Sequence, residues 1–287
     1  MSAVTVGLLS AALLVGVAAP AYAALPTGPV TVGVTGARPG ATEIPFHISD
    51  QVGVGVDVAT GNLRVSTRSL SLVGVTGQVG IGQTYNSLST TTGASNSAAA
   101  NRWVFSAQGA GFLATSYGGG GLTYTAGDGS TWKYTTGTGS AFTSPAGAKA
   151  DLVSITGGYK LTDRQSRQVI TFDSDGRATS IADRNGNTTT LTYDPYGTAA
   201  TVVSSAGPTA ARTAAFAYSS TTRTLTASQT SGALSRSVKW VKDASQNLTS
   251  IVDGENKTTS FGYTGQQLTS ITGPTGAVVT IGYESST

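Results

Sequence analysis

The chain holds no cysteine, one histidine and one methionine in 287 residues. Without cysteine, a disulfide scaffold, a thiol nucleophile and thiolate-bound zinc are excluded together. Charged residues are also scarce, at 11% against roughly 25% in an average globular domain. That scarcity argues against a disordered tail, which stays unfolded through high charge and few apolar groups. The 17 basic residues are scattered, so the net charge of +3 builds no phosphate-tracking stripe and no nucleic-acid partner is expected. Strong helix formers such as Glu, Lys, Met and Leu are few, while β-branched Thr and Val abound. The composition predicts an all-β chain with many turns.

Chemistry is equally sparse. The single His47 stands in "IPFHISD" near Asp50, but no G-x-S-x-G nucleophile motif occurs anywhere. A lone histidine in a strand is most often structural, and no catalytic residue, metal ligand or cofactor is assigned. The chain is read as non-enzymatic.

At the N-terminus, Val4 to Ala19 is an uninterrupted run of apolar and small residues, followed by Pro20 and Ala21-Tyr22-Ala23. This reads as residues 1–23 being a signal peptide, with the cleavage site marked by Ala21, Ala23 and Ala24. The run is shorter than the roughly 20 residues a membrane-spanning helix needs. It departs from the usual signal in having no Lys or Arg before it. A secreted or cell-surface location is expected. An exported chain without disulfides must draw stability from a large core or a long sheet.

Beyond the signal, residues 24–110 show short Val-rich runs with turn signals at Thr60-Gly61-Asn62, Gly74 and Gly77-Gln78. They predict an N-terminal β domain of successive antiparallel strands. Within it, "NSLSTTTGASNSAAAN" (86–101) is small, polar and aperiodic, and reads as an exposed loop.

Later in the chain one pattern recurs: an apolar residue, a spacer and an aromatic. It appears as Trp132-x-Tyr134, Ile170-x-Phe172, Leu191-x-Tyr193, Phe216-x-Tyr218, Val238-x-Trp240, Phe261-x-Tyr263 and Ile281-x-Tyr283. The aromatics are 20 to 25 residues apart except for a gap of 38 between Tyr134 and Phe172, as if one unit there were degenerate. Ile181, Ile251 and Ile271 each stand twelve residues before the tyrosine of their unit. A period of this size is the mark of a repeat architecture. Residues 111–287 are therefore expected to form an open array of antiparallel β-hairpins.

Asn185-Gly186, Asp253-Gly254 and Pro274-Thr275-Gly276 sit between β-rich runs, where a tight turn needs positive φ. After the turn, Leu191 and Tyr193 share one face, and Thr190 and Thr192 take the other. Leu248 and Ile251 are three apart, as are Leu268 and Ile271, so either one of each pair faces away or a bulge intervenes. Asp183, Asn185, Asn187 and Asp194 echo a calcium loop only faintly, and read as a plain hairpin. Repeated aromatics such as Tyr134, Tyr193, Trp240 and Tyr263 fit a buried face better than an exposed sugar-stacking ladder.

Phe172 to Gly197, "FDSDGRATSIADRNGNTTTLTYDPYG", resembles the YD repeat of rearrangement-hotspot (RHS) proteins. Phe172-Asp173, Gly176-Arg177, Ile181, Asp183, Asn185-Gly186 and Tyr193-Asp194 match that repeat directly. Elsewhere Tyr218, Trp240, Tyr263 and Tyr283 keep the aromatic but not the aspartate after it. The resemblance implies a segment of a β-shell or spiral that encloses or presents a C-terminal toxin, the toxin and core region not being represented here. The implied partners are the remainder of the shell, or copies of the chain joined through an exposed sheet edge. The competing expectation is a stand-alone module that binds cell-surface glycans.

Overall fold

The computed structural model describes residues 33–38, 40–74, 77–95, 98–115, 120–195, 198–204, 212–231 and 234–284. The proposed cleavage residues Ala21, Ala23 and Ala24 lie outside them. Among the described residues every regular element is a β-strand.

Three antiparallel sheets account for the strands. The first holds β1 (Glu43–Ser49), β2 (Val52–Asp57), β3 (Leu63–Thr67), β4 (Leu70–Gly74), β5 (Gly77–Asn86) and β6 (Trp103–Ala107). The second holds β7 (Phe112–Thr115), β8 (Gly121–Thr125), β9 (Thr131–Thr136) and β10 (Phe142–Thr143). The third is a continuous ladder of 13 strands, each paired with the next in sequence. Its first strands are β11 (Ala150–Ile155), β12 (Gly158–Asp163), β13 (Val169–Asp173), β14 (Ala178–Ala182) and β15 (Thr188–Tyr193). Next come β16 (Ala199–Ser204), β17 (Arg212–Ser219), β18 (Thr224–Ser231) and β19 (Leu234–Lys242). The ladder closes with β20 (Leu248–Val252), β21 (Thr258–Thr264), β22 (Gln267–Thr272) and β23 (Val278–Thr280).

The ladder thus begins at Ala150, whereas the sequence pattern placed the start of the repeats at residue 111. A turn at Pro145–Ala148, closed by the Ala148 amide on the Pro145 carbonyl (3.1 Å), separates the two sheets. Trp132 and Tyr134 belong to β9 and not to the ladder. The gap of 38 residues between Tyr134 and Phe172 spans that turn and the hairpin β11–β12, whose Leu152 and Leu161 fill the core face.

The ambiguity at Leu248 and Ile251 resolves as a bulge, because both side chains are buried. Trp240 pairs with Ile251 and Val241 with Ser250, but Lys242 pairs with Leu248, so Thr249 is the extra residue. The same step recurs at Thr179, Ala200 and Thr269, each opposite the step into an aromatic (Phe172, Tyr193 and Tyr263) where the Thr249 bulge has Lys242. A bulge adds one residue and lets two apolar side chains three apart face the same way. Thr179 and Thr249 also donate their hydroxyls to the carbonyls of Thr171 and Val241 across the bulge.

One apolar cluster draws on all three sheets, from Val52 to Ile271. The core face of the ladder is therefore covered by the chain's own N-terminal strands. Phe172, Trp240, Leu248, Leu268 and Ile271 lose nearly all contact with water.

Residues 86–101 read as an exposed loop, and Leu88, Thr90, Thr92, Ser95 and Ala99 are exposed, but both ends are buried and several of the described residues between them are bonded to distant parts of the chain. Asn86, Ala100 and Asn101 are buried. The Ala98 amide donates to Thr198, Asn101 donates to the Ser245 carbonyl and to Asn247, and its own amide donates to the Gln246 carbonyl. The segment is a strap laid across the array. Small residues serve it: a Cβ at Gly93 would stand 2.8 Å from both the Ala99 carbonyl oxygen and the Gln246 Cβ.

Candidate functional site: the hairpin unit and its covered face

The recurring element is a five-residue turn of the form Asp-x-x-Gly-x. At residues 173–177 the Asp173 amide donates to the Arg177 carbonyl, and the Gly176 amide to the Asp173 carbonyl. The same pair of bonds forms at 183–187, 243–247, 253–257 and, with glycine in place of aspartate, at 273–277. The aspartate side chain adds a third fastening. Asp173, Asp183, Asp194, Asp243 and Asp253 each accept the backbone N–H four residues on, at 2.8–2.9 Å. A carboxylate that accepts amides in this way is a local turn former. Asp183 is held below the usual carboxylate range, chiefly by the hydrogen bond from the Asn187 side chain.

The fourth residue of the turn carries positive φ: Gly176 at 81°, Gly186 at 83°, Gln246 at 69°, Asn256 at 60° and Gly276 at 84°. At 253–257 this corrects the sequence reading, which gave the role to Asp253-Gly254. Asn256 takes the left-handed conformation there and Gly254 does not. The residues that echoed a calcium loop are spent on the turn: Asn185 and Asn187 both donate backbone N–H groups to Asp183.

Tyrosine ties the end of each unit back to the strand that opens it. The Tyr193 hydroxyl donates to the Ala178 carbonyl (2.7 Å), Tyr263 to Leu248 (2.7 Å) and Tyr283 to Leu268 (3.0 Å), always fifteen residues back. Each accepting carbonyl belongs to the strand residue just before a bulge. Burial pushes the hydroxyls of Tyr193, Tyr263 and Tyr283 well above their ordinary range, so they remain neutral donors. Arg177 joins the parts of its unit, pairing with Asp173 (2.8 Å) while its guanidinium stands 5.4 Å from the centre of the Tyr193 ring.

Above this face lie the aromatics of the N-terminal sheets. Trp103 meets Phe261 at 5.2 Å, Tyr85 meets Tyr263 at 6.5 Å, Phe105 meets Phe216 at 5.6 Å and Tyr124 meets Phe172 at 5.9 Å. Polar bonds lock the seam. The Trp103 indole N–H donates to the Tyr263 hydroxyl, and the Tyr85 hydroxyl accepts from the Leu268 amide while donating to the Gln266 carbonyl. Phe112 bridges to Arg177, and the Leu113 amide donates to the Gly176 carbonyl, fastening the second sheet to a repeat turn.

Lys242 is the one buried lysine of this face. Its ammonium donates to the Ala94 carbonyl (2.9 Å), the Ala99 carbonyl (2.7 Å) and the Gln246 side chain (3.0 Å). It also stands 5.1 Å from the centre of the Tyr218 ring. Burial, helped by nearby Arg223, pulls its pKa down to about 8. Tyr218 is half-buried and donates to the Ser95 carbonyl (3.2 Å), so its hydroxyl serves the strap and not the opening strand of its own unit.

The predicted repeat residues fall together as one design. Phe172, Ile181, Ile251, Ile271 and Trp240 line the buried face, Tyr193, Tyr263 and Tyr283 cap carbonyls, and Asp173, Asp183, Asp194, Gly176 and Gly186 build turns. Asn185 is exposed at a turn tip. Sequence reasoning missed Tyr85, Trp103, Asn101 and Lys242, whose partners lie far away in the chain. A cleft of about 220 Å³ opens beside Tyr124, Trp132, Tyr134, Lys149, Asp163 and Gln168, where the second sheet meets the first ladder strands.

This geometry defines a β-hairpin repeat protein whose side chains chiefly serve its own sheet. A family model described as RHS repeat matches residues 172–209, which span the regular unit from Phe172 through β15 and β16. Over those residues the chain is similar to the RHS repeat, in agreement with the resemblance read from Phe172 to Gly197. A search of curated proteins finds no match.

Proposed function

We propose that this chain is a non-enzymatic exported segment of a YD-repeat β-shell that encloses or presents a C-terminal toxin. The observation that carries the reading is the use of the repeat's polar groups. The aspartates fasten turns and the tyrosines cap carbonyls, so the unit's polar groups are committed to extending the sheet. The buried aromatics count against a sugar-stacking ladder built from Tyr134 and Trp240, which are each about 1% exposed. Export is inferred from Val4 to Ala23 and predicts a secreted product beginning at Ala24, which the intact mass of the exported protein checks.

Reading the gene past codon 287 tests the shell. Further Asp-x-x-Gly units followed by a toxin-type domain agree with it, and a stop codon there overturns it. Titration with cell-wall oligosaccharides tests the competing glycan module. The shell reading expects tryptophan emission to stay unchanged, and a saturating response would favour the module.

A further inference from the structure

The mouth between the second sheet and the ladder is built differently from the seam behind it. Across β8 and β9, Tyr124 pairs with Trp132 and Leu122 with Tyr134, which puts these side chains on one face. On the ladder opposite, Leu161 pairs with Ile170 across β12 and β13. Deeper in, Tyr124 meets Phe172 at 5.9 Å and the two faces close. Toward the strand ends, Asp163 and Gln168 continue the row of Leu161 and Ile170, with the Asp163 amide donating to the Gln168 carbonyl (2.9 Å). The cleft of about 220 Å³ lies between.

Its walls are apolar and their hydroxyls are already used. Tyr134 donates to the Ala150 carbonyl (3.2 Å), and the Tyr124 hydroxyl is bonded to the Gly111 backbone. The rim is the reverse. The Lys149 ammonium, the Gln168 amide group, the Trp132 indole N–H and Oδ2 of Asp163 have no hydrogen-bond partner among the described residues. Oδ1 of Asp163 accepts the amides of Gln165 (3.0 Å) and Ser166 (2.6 Å). Burial works to raise this carboxyl, but the bonds from Ser166 and Gln165 and the charge of Lys149 outweigh it and hold it below the usual carboxylate range. Asp163 is therefore an anion close enough to Lys149 to feel its charge, yet the two form no ion pair. The rim is also fixed in place. Arg164 donates to the Ala148 carbonyl (3.0 Å) and to Asp151 (3.0 Å), and Ser144 donates to the Ala150 carbonyl (3.1 Å).

A small pocket with apolar walls and a few convergent polar groups is the usual form of a ligand site. An enclosed apolar cavity of about 150 Å³ takes a benzene ring, so this cleft has room for one ring or branched side chain. A sugar ring is a poor occupant, because its hydroxyls would meet Leu161, Ile170 and the spent tyrosines without partners. We infer that the cleft binds one apolar amino-acid residue, side chain inward against Tyr134 and Ile170. Its carboxylate or carbonyl meets Lys149 and Gln168, and its ammonium or amide N–H meets Asp163. A free amino acid and a residue within a peptide share that chemistry. The inference goes beyond the shell reading and stands or falls without it.

Titration of the full chain with L-phenylalanine and with N-acetyl-L-phenylalaninamide tests it. Trp103 and Trp240 are 3% and 1% exposed, so half-buried Trp132 supplies the emission that acrylamide quenches. A saturable protection from acrylamide is expected with at least one probe, and none with N-acetylglycinamide, which lacks the side chain. Lys149→Glu should weaken L-phenylalanine by about fivefold or more, since an attraction at the rim becomes a repulsion. Gln168→Ala should weaken both probes. Tighter binding of L-phenylalanine assigns the site to a free amino acid, and tighter binding of the capped amide assigns it to a residue within a chain. No protection by either probe overturns the inference. So does equal protection by N-acetylglycinamide or by N-acetylglucosamine oligomers, or binding indifferent to both substitutions. Unchanged near-ultraviolet circular dichroism of each variant keeps folding failure separate from lost binding.

Discussion

The ladder contains two kinds of stretch, and they are held in different ways. From β13 to β15 and again from β20 to β23, strands are short, and bulges and tyrosine caps recur at fixed places. Between them, β17, β18 and β19 run for 8, 8 and 9 residues, and the pairings from β16 to β19 contain no bulge. There the Tyr218 hydroxyl turns to the strap, and the buried Trp240 indole N–H meets no acceptor among the described residues. The strap, anchored by Lys242 and Asn101, crosses this stretch and its boundary with the next regular units. Where the local fastenings lapse, residues more than a hundred positions away take over. A repeat need not be self-sufficient when a distant segment covers its weak joint.

Five substitutions would break or sharpen that contrast, in falling order of effect. Trp103→Ala removes a ring that covers the regular end, and should cost about 3–5 kcal/mol in denaturant unfolding, as large-to-small aromatic changes in cores do. Lys242→Met leaves the Ala94 and Ala99 carbonyls without their donor and should cost about 1–3 kcal/mol. Hydrogen exchange should then quicken in β17–β19 while β13–β15 keep their protection. If both stretches loosen alike, the contrast fails.

The same lysine gives a pH test. Its folded pKa of about 8 lies below the ordinary lysine value of 10.5. Between those values the unfolded chain holds a proton that the folded chain has released, so its contribution to stability rises with pH across that window. The melting-temperature advantage of the native chain over Lys242→Met should therefore widen between pH 8 and pH 10.

Gly186→Ala forces a Cβ into the left-handed region, where Gly186 has φ of 83°, and should cost about 1–2 kcal/mol by thermal unfolding. Tyr193→Phe should cost about 0.5–1.5 kcal/mol through its lost bond to the Ala178 carbonyl. Tyr218→Phe, whose hydroxyl bond is exposed, should cost less than about 0.5 kcal/mol. Equal costs for the two tyrosines would remove the distinction between a cap and a strap contact.

Much of the fold is legible in the sequence because it is local. The alternation of apolar and polar residues, the Asp-x-x-Gly turns and the aromatic period all operate within about 20 residues, the length of one unit. The bulge is legible only as a puzzle: Leu248 and Ile251 cannot both face the core in a plain strand. What stayed hidden acts over distance. Residues 86–101 carry the polar, small composition of a free loop, yet the backbone amides of Ala98 and Asn101 meet partners at Thr198 and Gln246. Nothing near Lys242 in sequence shows that Ala94 and Ala99 will surround it. The seam of Tyr85 and Trp103 is silent for the same reason, since apolar alternation marks a face as buried and never says against what.

The backward reach of the tyrosines gives the chain a direction. A carbonyl at Ala178, Leu248 or Leu268 stays open until a residue fifteen places later arrives to close it. The opening strand of each hairpin is finished by the strand that returns beside it, in the manner of a zip whose slider travels one way. A polypeptide that emerges N-terminus first, as from a ribosome, meets those closures in the order of its synthesis, so that each newly delivered strand locks the one before it.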